Sequence, residues 1–114
     1  MNLRNFLATK KTHKYRAKAT EVNGIRFHSK KEANRYLELK SLERAGKIKE
    51  LELQPFFVLN VKNKKIGKCI LDFKYFDVDS GKCVYEDVKG CDNALSKWKR
   101  KHVKAEYGID VILM

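Results

Sequence analysis

The chain has 114 residues and a formal charge of +12, with 26 lysines and arginines against 14 acids. That length suits one modest core, and 43% hydrophobic with 35% charged residues describes a globular chain rather than a disordered one. No apolar run is long enough to span a membrane, MNLRNFLATKK lacks the apolar segment of a signal peptide, and Cys69, Cys83 and Cys91 form neither a C-x-x-C pair nor a zinc-finger pattern with His13, His28 and His102.

The expected compartment is the cytoplasm. Charge of this size and sign is tolerated where the partner is polyanionic, and nucleic acid comes first. Residues 1–17 are a basic arm, with Lys14 and Arg16 as candidate phosphate contacts or simply as part of a solvated tail. Residues 18–114 are expected to form one domain. Its first element is a small hairpin over KATEVNGIRF, because Asn23-Gly24 suits a type I′ turn.

A helix follows over 29–46. Ser29 and Glu32 fit a capping box, and Gly46 is placed to stop it. Then come three strands. Residues 48–61 are extended, with Pro55 dividing an approach segment from a strand near 56–61. Residues 66–78 read as one long second strand, and 82–89 as a third, reached through the turn at 79–81. Short connections make them antiparallel neighbours. A helix over 93–107 places Leu95, Trp98, His102 and Ala105 on an apolar face, and 109–114 reads as a final buried strand. The fold class is α/β, a central mixed sheet flanked by helices and preceded by a hairpin.

The second and third strands carry charges where apolar residues are expected. Asp87 and Lys89 lie two apart, so they share a face roughly 6.5 to 7 Å apart along the strand, and Glu86 points the other way. Asp72 sits in the apolar run CILDFKY, where an unpaired carboxylate is costly. Counting back across the turn near residue 80 puts residue 72 opposite about residue 88. Two adjacent carboxylates and a lysine suit a hard cation and a phosphate. The plainer alternatives are a buried salt bridge for Asp72, a solvated strand face for Asp87 and Lys89, and a helix cap for Glu32.

An acid on one strand followed by (D/E)-x-K on the next, here Asp72 and then Asp87-Val88-Lys89, resembles the PD-(D/E)XK nuclease superfamily. More narrowly, KYRAKATEVNGIRFHSKKEANRYLELKSLERAGKI with LELQP and YEDVKG looks like a family of small phage and prophage proteins in it. One departure is Leu71 where the motif has proline. The resemblance implies a restriction-endonuclease-like core, αβββαβ, and a Mg²⁺-dependent DNA endonuclease, with Mn²⁺ as a substitute. It implies metal ligation by Asp72, Asp87 and the Val88 carbonyl, a metal or water role for Glu32, and Lys89 acting on the attacking hydroxide and the transition state.

The basic stripe Lys97, Lys101 and Lys104, widened by Lys99 and Arg100, is a candidate phosphate clamp. Too little chain remains outside the core to read a long base sequence. Selection by DNA shape follows, with branched DNA in phage recombination, replication or packaging as the substrate and the bacterial host's cytoplasm as the setting. Junction-resolving members of the superfamily work as symmetric dimers, so the resemblance extends to a homodimer. The competing reading is a non-catalytic DNA-binding accessory protein with the same fold. RNA binding is disfavoured by few evident exposed aromatics for stacking.

Overall fold

The computed structural model describes residues 19–114. The basic arm, with Lys14 and Arg16, lies outside the described residues. The chain divides into two compact units, meeting in sequence at Leu37 and Glu38.

The first unit holds a hairpin, β1 (Thr20–Val22) and β2 (Ile25–Phe27), and the start of helix α1 (Lys30–Arg44). Asn23 and Gly24 take φ of 53° and 79°, the left-handed pair that a type I′ turn requires. Ser29 caps α1, its hydroxyl accepting from Glu32 N at 3.1 Å. The Glu32 carboxylate reaches back to accept from His28 N at 3.1 Å. Both satisfy amides that have no partner inside the helix. Ser29→Ala should cost about 1 kcal/mol, read as a lower urea midpoint at unchanged slope. Phe27 and Tyr36 are buried, with ring centroids 5.0 Å apart.

In the second unit α1 ends in a Schellman turn. Gly46 stands at φ 78°, and Lys47 N donates to Leu42 O at 2.9 Å. The strands are β3 (Ile48–Leu53), β4 (Phe56–Val61), β5 (Lys64–Ile70), β6 (Phe73–Asp77), β7 (Lys82–Asp87) and β8 (Val111–Leu113), with helix α2 (Ala94–Tyr107) before the last. One mixed sheet has the order β3-β6-β7-β8, antiparallel except for the parallel pair β7–β8. β4 and β5 form a separate two-stranded hairpin.

This corrects the strand expectations. Residues 48–53 are not an approach segment but an edge strand of the sheet. The single strand expected over 66–78 is two strands, β5 and β6, interrupted at Leu71 and Asp72. The two ladders keep one register, since Leu53 pairs with Phe73 and Phe56 with Ile70. Gln54 N to Asp72 O at 3.0 Å and Leu71 N to Pro55 O at 2.9 Å bridge the gap. The whole is one long ribbon, kinked where Gln54 adopts φ 54° beside Pro55. Its base belongs to the sheet, and its outer half leaves it.

The core beneath α2 gathers Leu59, Cys69, Leu71 and Val103, with Phe57, Tyr85, Ile109 and Val111 packed against it. The apolar face expected on α2 is therefore wrong. Val103 is the buried residue, whereas Leu95 and Trp98 are 59% and 48% exposed. The β4–β5 hairpin selects the Val103 side, where Tyr107 also donates to Val58 O at 2.6 Å. The last strand is shorter and more exposed than expected, because β8 is an edge. Asn93 caps α2 by accepting from Ser96 N at 2.8 Å, and Gly108 closes it at φ 72°.

Candidate active site

The site forms where the ribbon kinks away from β7. Asp72 is the last residue held to the sheet, its N–H donating to Glu86 O at 3.1 Å. Phe73 pairs with Glu86, so the register carried one step further sets Asp72 opposite Asp87, one residue from the position counted from the turn. Asp72 Oδ2 also accepts from Val88 N at 2.7 Å. That bond holds the chain in place where β7 ends.

Asp87 is buried, and its carboxylate meets Lys89 Nζ at 3.0 Å. The two share a face, as the spacing predicts. Lys89 Nζ also donates to Ser96 Oγ at 3.4 Å, on the first turn of α2. Met114 N donates to Asp87 O at 3.0 Å, and Lys89 N to Met114 O at 3.4 Å, so the parallel partner strand supports the backbone that carries both groups. Burial pushes the Asp87 carboxyl up to about 6. The adjacent Asp72 carboxylate adds to the rise through a hydrogen bond and like charge, and Lys89 opposes it.

Glu86 points to the opposite face. It is fully buried and accepts a hydrogen bond from the Tyr75 hydroxyl, a structural pairing. Glu32 belongs to the first unit, where its carboxylate binds the helix end as described above. Among the described residues no three or more His, Cys, Asp or Glu side chains form a metal-binding group. The site is a pair of carboxylates with a lysine.

Asp87, Lys89 and Ser96 form part of the wall of a cleft of about 200 Å³. Lys68, Cys69 and Ile70 on β5 and Lys99 and Arg100 on α2 complete the lining. Burial raises the Cys69 thiol, with the Asp87 charge adding to the rise, which keeps the sulfur protonated and unreactive.

The expected phosphate clamp is thus only partly at the cleft. Arg100 lines it, but with its guanidinium held by Asp92 through bonds of 2.8 and 2.6 Å. That contact holds Asp92 below the usual carboxylate range. Lys97 and Lys101 are exposed on α2, and Lys104 pairs with Asp110 at 2.8 Å. Lys99, which widens the basic stripe, lines the cleft as expected of a clamp residue, whereas Lys68 is a contact that the sequence reading does not include. Lys68 had a signal, since it shares a strand face with Ile70 in a stretch rich in lysine. Ser96 had none, because its role depends on how α2 settles against β7.

No helix among the described residues is long and apolar enough to cross a membrane. No curated protein and no solved structure matches the chain. The family described as "Protein of unknown function (DUF1064)" matches residues 12–113. That match takes in nearly the whole sequence, including every residue of the cleft, and the chain belongs to the DUF1064 family.

Proposed function

We propose that this protein is a Mg²⁺-dependent DNA endonuclease built on a restriction-endonuclease-like core, with Mn²⁺ able to substitute. The observation that carries the reading is the pairing of Asp72 with Asp87, the latter lining a cationic cleft with Lys89 3.0 Å away. The order of α1, β3, β6, β7, α2 and β8 supports it, since it reads αβββαβ once the outer half of the ribbon is set aside.

The donor set fits a hard cation. Two carboxylates forced together, one of them pushed up by burial and then by the other, gain from a divalent ion that takes oxygen ligands. Asp72, Asp87 and the Val88 carbonyl would hold it. When bound, Mg²⁺ supplies Lewis-acid stabilisation of phosphate charge and acidifies a water. Lys89 orients the attacking water and balances negative charge on the phosphoryl oxygen. Ser96 and Asp87 fix its ammonium between them. Lys68 and Lys99 attract the phosphodiester into the cleft. Attack in line by water on phosphorus breaks the P–O3′ bond and leaves a 5′-phosphate and a 3′-hydroxyl.

A second reading, a non-catalytic DNA-binding protein of the same fold, is favoured by one observation. Asp72 and Asp87 each already have a structural partner, in Val88 N and Lys89. The two readings part on one experiment. Four-way junction, duplex and single-stranded DNA are incubated with wild type and Asp72→Ala in Mg²⁺ or Mn²⁺, and binding is followed separately in chelator. Cutting by wild type that Asp72→Ala abolishes, with binding retained, is the expected result, with the junction as preferred substrate. Tight binding without any cutting would overturn the nuclease. Melting without DNA gives a readout besides activity. Millimolar Mn²⁺ should raise the wild-type midpoint by ligand linkage, and Asp87→Asn should lose most of that rise.

A further inference from the structure

The outer half of the ribbon exposes what a folded chain ordinarily hides. Phe56 and Ile70 are direct cross-strand partners, and they are 58% and 55% exposed. Cys69 and Leu59, on the other face of this hairpin, are buried in the core beneath α2. The outer face is apolar, yet it sits in a cationic frame. Lys68 Nζ lies 4.9 Å from the centroid of the Phe56 ring. Lys62, Lys64 and Lys65 occupy the turn and the strand beyond it, and from Leu53 to Leu71 there is no acid.

An apolar protein partner explains the exposed ring and its aliphatic neighbour but not the lysines around them, of which Lys68 lies over the ring. A duplex backbone explains the lysines but has no use for an exposed phenyl group. Unpaired bases joined to phosphates meet both conditions: a ring for the base to lie against and ammonium groups for the backbone. The hairpin is also continuous with the cleft, because Lys68 and Ile70 line it as well. We propose that the outer face of the β4–β5 hairpin holds unpaired bases of DNA, with Phe56 and Ile70 as the stacking surface, next to the phosphodiester in the cleft. This rests on the DNA reading above and narrows its substrate to DNA that is open beside the cut, such as a fork or a branch point. Phe56 is one of few exposed aromatics among the described residues, with Trp98 and Tyr107.

The test uses the full chain in chelator, so binding is read without cutting. The probes are a fork with single-stranded arms and a blunt duplex of equal length, the fork carrying 2-aminopurine at its first unpaired position. Wild type is expected to bind the fork about ten-fold more tightly than the duplex and to change the 2-aminopurine emission on binding. Phe56→Ala, outside the cleft lining, should remove most of that preference and the emission change, leaving duplex affinity within about two-fold. Circular dichroism melting establishes that the variant is folded. Retention of fork preference by the folded variant would overturn the proposal, as would wild-type binding that ignores the open arms. So would a wild-type dimer in sedimentation that the variant converts to monomer, because the face would then belong to a second copy. Loss of fork preference alongside a wild type that never cuts would sink the nuclease reading alone.

Discussion

Asp87→Asn should melt several degrees above wild type at pH 8 and no higher than wild type at pH 3.5. The wild-type carboxyl titrates near 6 in the folded protein against an ordinary value of 3.8. Its pKa is raised, so the folded state keeps a proton through this window that the unfolded chain releases. Stability from this group is complete below 3.8 and is lost as pH rises to about 6. Above that the loss is constant. Two pKa units correspond to about 3 kcal/mol, and water reaching the open cleft reduces that to roughly 1 kcal/mol, or several degrees in a domain of this size.

Asparagine keeps the shape and removes the charge beside Asp72. Lys89 loses its partner but retains Ser96 and access to water. Other carboxylates have the opposite sign. Arg100 lowers Asp92, and the Asn60 amides lower Glu106, so both favour the fold more as pH rises. The difference between variant and wild type at each pH cancels them and isolates Asp87. A variant no more stable than wild type at pH 8 would mean that Lys89 already neutralises the strain.

A gain in stability from losing a buried charge is the pattern of a site kept for chemistry or binding rather than for the fold. The Asp92–Arg100 pair differs in this respect. Each partner there favours the charged form of the other, and the bidentate contact holds the loop at Gly90–Asn93 to α2. Both pairs lie near the cleft, but only Asp72 and Asp87 oppose each other.

Local rules sufficed for parts of this fold. The Asn23-Gly24 turn, the Ser29 cap and the Gly46 stop depend on a few neighbouring residues, and each forms where its residues predict. Asp72 opposite Asp87 was also legible, because a short turn fixes hairpin register to within a residue. The ribbon was not. Its strands alternate with no break in polarity at Leu71 and Asp72, and the kink arises from the Gln54-Pro55 backbone on the opposite strand. The buried face of α2 was missed for a related reason. Leu95, Trp98 and His102 share an apolar spacing, but the β4–β5 hairpin packs over Val103 and takes His102 against Asn60 O, leaving Leu95 and Trp98 in solvent. Lys68 and Lys99 reach the cleft only because the ribbon and α2 meet there, which no local pattern encodes.

Lys89→Met should lower the rate of DNA cleavage by about 10²- to 10³-fold and leave affinity in chelator within a factor of about three. The prediction follows from how the lysine is held. It is half-buried at the cleft, set between Asp87 at 3.0 Å and Ser96 at 3.4 Å. A charge fixed in advance stabilises a developing negative oxygen without the cost of reorganising at the moment of reaction. Its contribution to simple attraction is small in a chain that carries 26 lysines and arginines and a net charge of +12. Methionine keeps the length and the apolar stem, so packing is preserved. Ser96→Ala removes one of the two contacts that orient the ammonium and should reduce the rate by less, about ten-fold. Equal losses of rate and affinity in Lys89→Met would make this lysine a phosphate anchor like Lys68 and Lys99, and would leave the attacking water without a positioning group among them.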